Sequence, residues 1–196
     1  MKFDLFYQLP QADTQRTPAR YAELIEEAVV ADQLGFDTIW LAEVHFAPHF
    51  SMMPAPMLLH AAIAQRTARI RLGVAVHLMP LHHPLRLAEE TAMLDVISGG
   101  RVEFGAGRGA FAMNYRGYGV PMPHSRGLFE EGLQLVRAAW TQDRPISLLM
   151  PFLTTGRPTL RRVLPLPTCQ AACVRNNLFA GMDCSKVWTN CDLSLE

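Results

Sequence analysis

Three places in the chain concentrate side chains able to move protons, hold an anion or bind a metal. Glu43 and His45 stand two residues apart at the end of an apolar run. A carboxylate beside an imidazole is the usual acid–base pair, and burial at such a place shifts the pKa of both groups. The same pair also suits a structural reading, with Glu43 capping a neighbouring loop and His45 a satisfied core histidine. Farther on, Gly105-Ala106-Gly107-Arg108-Gly109 has the glycine spacing of a nucleotide fingerprint. It leads into a long stretch, residues 110–123, instead of a helix N-terminus, so it fails as a dinucleotide-binding motif. The glycines still let a backbone approach a planar ring or a phosphate closely. Arg108 either grips a phosphate with its bidentate fork or makes a surface ion pair. His45 and His49 are separated by a segment containing Pro48, and His82-His83 precede Pro84. Neither arrangement stacks two imidazoles on one helix face, so no metal is expected.

The elements that position these residues alternate between short apolar runs and longer stretches of helical period. Strands are expected at residues 2–9, 38–44, 70–79 and 101–107, with starts 36, 32 and 31 residues apart, the step of a repeated βα unit. The first helix opens at Thr17-Pro18, with Thr17 as its cap, and carries Tyr21, Leu24, Ile25 and Ala28 on one face before Gly35 stops it. Others are expected at 56–67, at 84–97 and from Ser125, where Leu128, Gly132, Leu135, Val136, Ala139 and Trp140 form the clearest stripe. Nearly continuous apolar strands such as Leu72-Gly73-Val74-Ala75-Val76 indicate a parallel sheet covered on both faces. Ligands of parallel α/β proteins gather at the carboxyl ends of the strands, and here those ends carry Tyr7-Gln8, Glu43-Val44-His45, His77 and Gly105 to Gly109. Residues 114–119, rich in tyrosine and glycine, read either as a mobile lid or as a plain connection. Periodicity alone leaves a doubly wound sheet and half of an eight-stranded barrel both open.

With 49% hydrophobic residues in 196, the chain is globular rather than disordered. Its 18 basic and 18 acidic residues cancel and are interspersed, which argues against nucleic acid as a partner. No run is apolar enough for a membrane span, and Asp4 and Gln8 interrupt the N-terminal apolar segment that a leader would need, so a cytoplasmic protein is expected.

Four separated blocks then agree with one family. They are Gly35-Phe36-Asp37-Thr38-Ile39-Trp40-Leu41-Ala42-Glu43-Val44-His45-Phe46, Arg71 to Val76, His83 to Glu90, and Leu94 to Gly109. In this order and spacing, residues 1 to 141 resemble the N-terminal half of the bacterial luciferase-like flavin monooxygenases. The resemblance implies an α/β protein of the TIM-type (β/α)8 barrel, of which the chain holds the first four βα units. It implies reduced FMN at the strand ends, or the deazaflavin F420 as in related barrels, and transfer of one oxygen atom from dioxygen to a small organic substrate. A flavin reductase is the implied source of reduced flavin. His45 falls on the second position of a motif that often reads Glu-His-His-Phe, and Val44 replaces its first histidine, which weakens the case for aldehyde oxidation. Glu43 and His45 are carried over as catalytic, with His45 as hydrogen-bond donor to developing charge. Ala75-Val76 falls on a non-prolyl cis peptide beside the flavin ring, and Gly107 and Arg108 fall on cofactor contacts, Arg108 nearest the phosphate.

Beyond the first segment, residues 1–144, the texture changes. Residues 145–196 hold all four cysteines, only three acidic residues and no sustained period. The cysteines lack paired metal-ligand spacing. In a chain with 16 arginines and two lysines, an out-of-frame stretch would have this composition, and a short genuine extension is the competing reading. Four βα units are half of an eight-unit barrel. Two open edges and an uncovered barrel face, on Ile39, Leu41, Val74 and Val76 or their alternates, predict a homo-oligomer.

Overall fold

The structure, a computed structural model, describes residues 1–12 and 16–141 together with the backbone of three short strands beyond them. Four βα units follow one another: β1 (Asp4–Tyr7), α1 (Thr17–Leu34), β2 (Thr38–Leu41), α2 (Pro56–Ala64), β3 (Arg71–Leu78), α3 (Pro84–Ser98), β4 (Val102–Gly107), then α4 (Ala112–Tyr118) and α5 (Ser125–Thr141). Strands β1 to β4 lie side by side in chain order and are all parallel. The repeat read from the sequence is therefore real. Thr17 is the first helical residue and not the cap, and Gly35 ends α1 in the left-handed region, its N–H reaching the carbonyls of Ala31 and Asp32.

Two boundaries differ from expectation for a physical reason. Strand β2 stops at Leu41, three residues early, because after Ala42, whose N–H still bonds the Tyr7 carbonyl of β1, Val44 turns its N–H to the carbonyl of Met53. Residues 43–45 thereby leave the ladder and hang over the sheet end. The stretch 110–123, expected as a loop, contains α4 and a 3-10 turn, Met122–His124. Helix α4 has only seven residues and buries just Asn114 and Tyr115, too few contacts to show as a period in the sequence.

The helices cover one face of the sheet. Ile39, Leu41 and Leu72 pack with Leu24, Ala28, Ile63 and Leu94, and Phe104 and Ala106 pack with Met79, Phe129, Val136 and Trp140. It is thus the alternates of Ile39 and Leu41 that occupy the other face, where Phe6 is 57% exposed and Trp40 is half-buried. Past α5 lie β5 (Ser147–Leu148) and β6 (Arg161–Arg162), paired with each other, and β7 (Trp188–Asn190), which runs parallel to β4 from Gly105 to Gly107. That strand covers part of one sheet edge. Among the described residues β1 pairs only with β2.

At the amino-terminal end of the sheet, two side chains bind the connections together. The Asp32 carboxylate accepts the N–H groups of Ala68, Arg69 and Ile70 at 3.0, 2.8 and 2.6 Å. Burial works against ionisation of Asp32, but these three donors prevail and hold its pKa below the usual value. Arg101 donates to the carbonyls of Ala64, Thr67 and Ile70 and to the Thr67 hydroxyl. Asp32→Ala leaves three backbone donors without their acceptor and is expected to lower stability by about 2–4 kcal/mol. Urea unfolding at pH 7 checks this, and a loss under half a kilocalorie would show that water replaces the carboxylate freely.

Candidate active site

At the opposite end of the sheet the chain places a buried carboxylate among three imidazoles. Glu43 and His45, just past β2, are each 5% exposed. The Glu43 Oε1 accepts from His45 Nε2 at 2.8 Å and from His82 Nε2 at 2.7 Å, while Oε2 accepts the Leu78 N–H at 3.1 Å. His77 Nδ1 lies 3.9 Å from Oε2. Burial alone would push the Glu43 carboxyl up, but its histidine partners hold it at about 2. It is ionised at every ordinary pH. The acid–base pair read from the sequence is thus a contact, and the capping role read as its alternative is present in the same side chain, since Glu43 binds the backbone of β3.

The two flanking histidines are driven in opposite directions. Burial lowers His82, but hydrogen bonding and charge from Glu43 outweigh it and raise its pKa. His77 is 2% exposed, stacked on Phe104 with ring centroids 5.0 Å apart, and burial drives it down to about 3. His82 was visible only as one of a histidine pair before a proline. The 3-10 turn Met79–Leu81 brings it back over the strand ends, with the His82 N–H on the Met79 carbonyl. Among the described residues, Glu43, His77 and His82 are the group whose ligand atoms, all within 4.8 Å of one another, could take a cation. The nitrogens of His45 and His82 are already engaged as donors to the carboxylate, which a cation would have to displace. His49 and His83 do not join the cluster.

His45 uses its second nitrogen as well, since Nδ1 lies 3.2 Å from the hydroxyl of Tyr118. Neither ring nitrogen is then free to donate to a ligand while this arrangement lasts. Tyr118 was part of the segment read as a lid or a connection, and no residue pattern marked it out. Next along the sheet, the peptide bond Ala75–Val76 is cis. Gly107 faces it so closely that a Cβ would run into the Val76 side chain, so the room the glycine leaves is filled by the protein itself. Arg108 follows, half-buried, its carbonyl accepting the Tyr115 hydroxyl. No ion pair or hydrogen bond of its guanidinium is found among the described residues.

A third buried imidazole lies within the sheet's helix layer: His60 donates to the Gly73 carbonyl at 2.8 Å and is held down at about 4 by burial. His60 and His77 are neutral in the folded chain and protonate readily once unfolded. Their contribution to stability is complete above an unfolded pKa of about 6.5 and falls away as the pH drops toward 4. His82 has a raised pKa, so its contribution is constant over that window, and that of Glu43 declines only below about 4.5. Stability is therefore expected to fall by about 1 kcal/mol or more per pH unit between pH 6 and 5. Equal urea midpoints at pH 7 and pH 5 would mean that neither histidine is buried neutral.

Comparison with known proteins places this geometry. The chain matches the luciferase-like monooxygenase family over residues 1–178, past the boundary at 144 expected from composition. It is 40% identical over 116 residues to the oxygenase component of the flavin-dependent trigonelline monooxygenase of Acinetobacter baylyi, covering 59% of this chain and 32% of that protein. It is 34% identical over 145 residues to the alkanal monooxygenase alpha chain of Photorhabdus luminescens, covering 72% and 39%. Among solved structures, the oxygenating constituent of 3,6-diketocamphane monooxygenase from Pseudomonas putida, in complex with FMN, superposes with a TM-score of 0.73 at 26% identity over 81% of this chain and 44% of that one. An F420-dependent secondary alcohol dehydrogenase, at 21% identity and a TM-score of 0.63, covering 82% of this chain and 48% of that one, shares the fold. The chain spans 32% to 40% of the length of the first three curated relatives it matches. With its βα repeat, its polar strand ends and its match over most of its length, the chain belongs to the luciferase-like monooxygenase family and represents the first few βα units of that family's TIM-type barrel.

Proposed function

We propose that this chain is the amino-terminal part of a flavin-dependent monooxygenase that uses reduced FMN and dioxygen to oxidise a small organic substrate, the flavin being reduced by a separate reductase. The observation that carries the reading is Arg108. A half-buried guanidinium with no carboxylate partner among the described residues, at the carboxyl end of β4, is an anion site in waiting. It stands one strand away from Ala75 and Val76, where the family resemblance seats the flavin ring. Reduced flavin, when bound, supplies the electrons and the reaction with dioxygen; the protein's share is to bind, orient and exclude water. Arg108 would hold the phosphate, and Ala75, Val76 and the β4 end at Gly107 would line the ring. Glu43 and His45 would form the polar wall, fixed by His82 and the Leu78 N–H. A relative named as an oxygenase component supports the separate reductase. F420 also bears a phosphate, and the shared fold of an F420-dependent enzyme leaves it as the second cofactor to try.

Titration of the chain with FMN, followed by fluorescence quenching, is expected to saturate. Arg108→Ala should weaken FMN by roughly 10-fold or more and leave riboflavin nearly unchanged, since only FMN offers a phosphate to the fork. Equal losses for both ligands would move Arg108 from the phosphate to the ring or to the fold. No saturable binding of either flavin or F420 would make the chain a catalytically silent half-barrel.

The β1 edge, which pairs only with β2 among the described residues, supports a homo-oligomer. Beside β1, an apolar groove lined by Leu5, Tyr7, Val30, Leu34 and Phe36 runs along α1, and Leu34 is 73% exposed. In a complete barrel the strand and helix of the last unit would lie here. A second copy is the proposed cover. Sedimentation velocity should show dimers or larger species, and Leu34→Glu with Val30→Lys should shift them toward monomer. A compact wild-type monomer with a cooperative melt would show that residues beyond 141 close the edge within one chain.

A further inference from the structure

Helix α4 is held against the strand ends by three contacts at its carboxyl end. The Tyr118 hydroxyl lies 3.2 Å from His45 Nδ1, and the two rings meet edge to face with centroids 4.9 Å apart. The Phe46 ring is 5.8 Å from that of Tyr118 and presses on Gly117 so closely that any Cβ there would overlap it. Gly119, at φ 66°, ends the helix immediately after Tyr118. His45 is 5% exposed, whereas Tyr118 is 48% exposed. The tyrosine therefore covers the histidine from the solvent side.

The protons of this contact follow from Glu43. Its carboxylate can only accept, so the His45 nitrogen 2.8 Å away must carry hydrogen, and Nε2 is the N–H. A neutral imidazole with Nε2–H has a bare lone pair on Nδ1. In that neutral form the hydroxyl of Tyr118 is the donor and Nδ1 the acceptor. The chain of bonds runs from the Tyr118 O–H to Nδ1, and from Nε2–H to Glu43 Oε1, which also accepts from His82.

We infer that Tyr118 is the positioning residue for His45: its hydroxyl caps the Nδ1 lone pair of the Nε2–H tautomer that Glu43 imposes and holds the ring in place, so that to a ligand displacing the hydroxyl the His45–Glu43 pair presents a proton acceptor. This deepens the proposed function, on which its catalytic meaning rests, and it changes the role carried over from the family resemblance. His45, oriented and backed by a carboxylate, faces a ligand as a base, as imidazoles with an acidic partner do in other sites. The substrate class that this suits is one that gives up a proton during oxidation, such as a phenol, an enol or a protonated amine.

The test uses the flavin-free protein, so its outcome is independent of the FMN titration. In chain labelled with 15N-histidine, long-range proton–nitrogen spectra distinguish a protonated ring nitrogen from a bare one, and His45→Gln identifies the signal among the seven histidines. His45 is expected to show a protonated Nε2 and a bare, hydrogen-bonded Nδ1. Tyr118→Phe should move the Nδ1 resonance of His45 toward that of an unbonded imine nitrogen while the signals of His60 and His77 stay in place. If Tyr118→Phe does not fold, 3-fluorotyrosine at all four tyrosines makes the hydroxyl a stronger donor without reshaping the ring and should move the resonance the opposite way. A protonated Nδ1 in the wild type, or an Nδ1 resonance that neither change of the hydroxyl moves, would overturn the inference.

Discussion

The functional end of this molecule depends on the cost of removing the Glu43 carboxylate from water. A buried charge is tolerated only when donors and counter-charge replace its hydration. Glu43 lies past the end of β2, beyond the reach of its own ladder, so the donors must come from elsewhere: His45 from the following residues, the Leu78 N–H from β3, and His82 from the turn after it. Each of these is placed by a different piece of chain. The short β2 and the 3-10 turn at Met79–Leu81 are therefore parts of one solution to a single electrostatic demand.

The demand also sorts the histidines. His82 shares charge with Glu43 and is raised, while burial lowers His77 even though an oxygen of the same carboxylate, which favours its charged form, lies 3.9 Å away. Two neighbouring imidazoles thus hold different protonation states at one pH, the condition under which a site can both keep and take a proton.

Much of the architecture was legible because it is written in periods. The step of just over 30 residues between strands, the Pro-started and Gly-stopped helices α1 and α3, and the apolar stripe of α5 are local signals that tertiary packing then uses without change. Glu43, His45 and Arg108 were legible because their types are rare at the end of an apolar strand. His82, Tyr118 and the Leu78 N–H were not. A histidine before a proline, a tyrosine in a glycine-rich stretch and a backbone amide carry no pattern, and their value lies in distance to a residue 35 to 73 positions earlier. The seven-residue α4 is below the length at which hydrophobic period can be told from chance. Which side of the sheet Ile39 and Leu41 face was left open between them and their alternates, since alternation fixes which residues share a face but not which face meets the helices.

The clamps at the amino-terminal end, Asp32 and Arg101, are separated from the Glu43 cluster by the whole length of the strands. One end fastens the connections and the other arranges the chemistry, with no side chain serving both. Such a division gives a lineage freedom to experiment. Exposed loop positions over the carboxyl ends can be exchanged or randomised without loosening the fastenings, and a laboratory library confined to residues 47–50, 110–113 and 120–122, which spares His45 and the buried Met53 and Tyr115, would sample new pocket shapes on a frame that continues to fold.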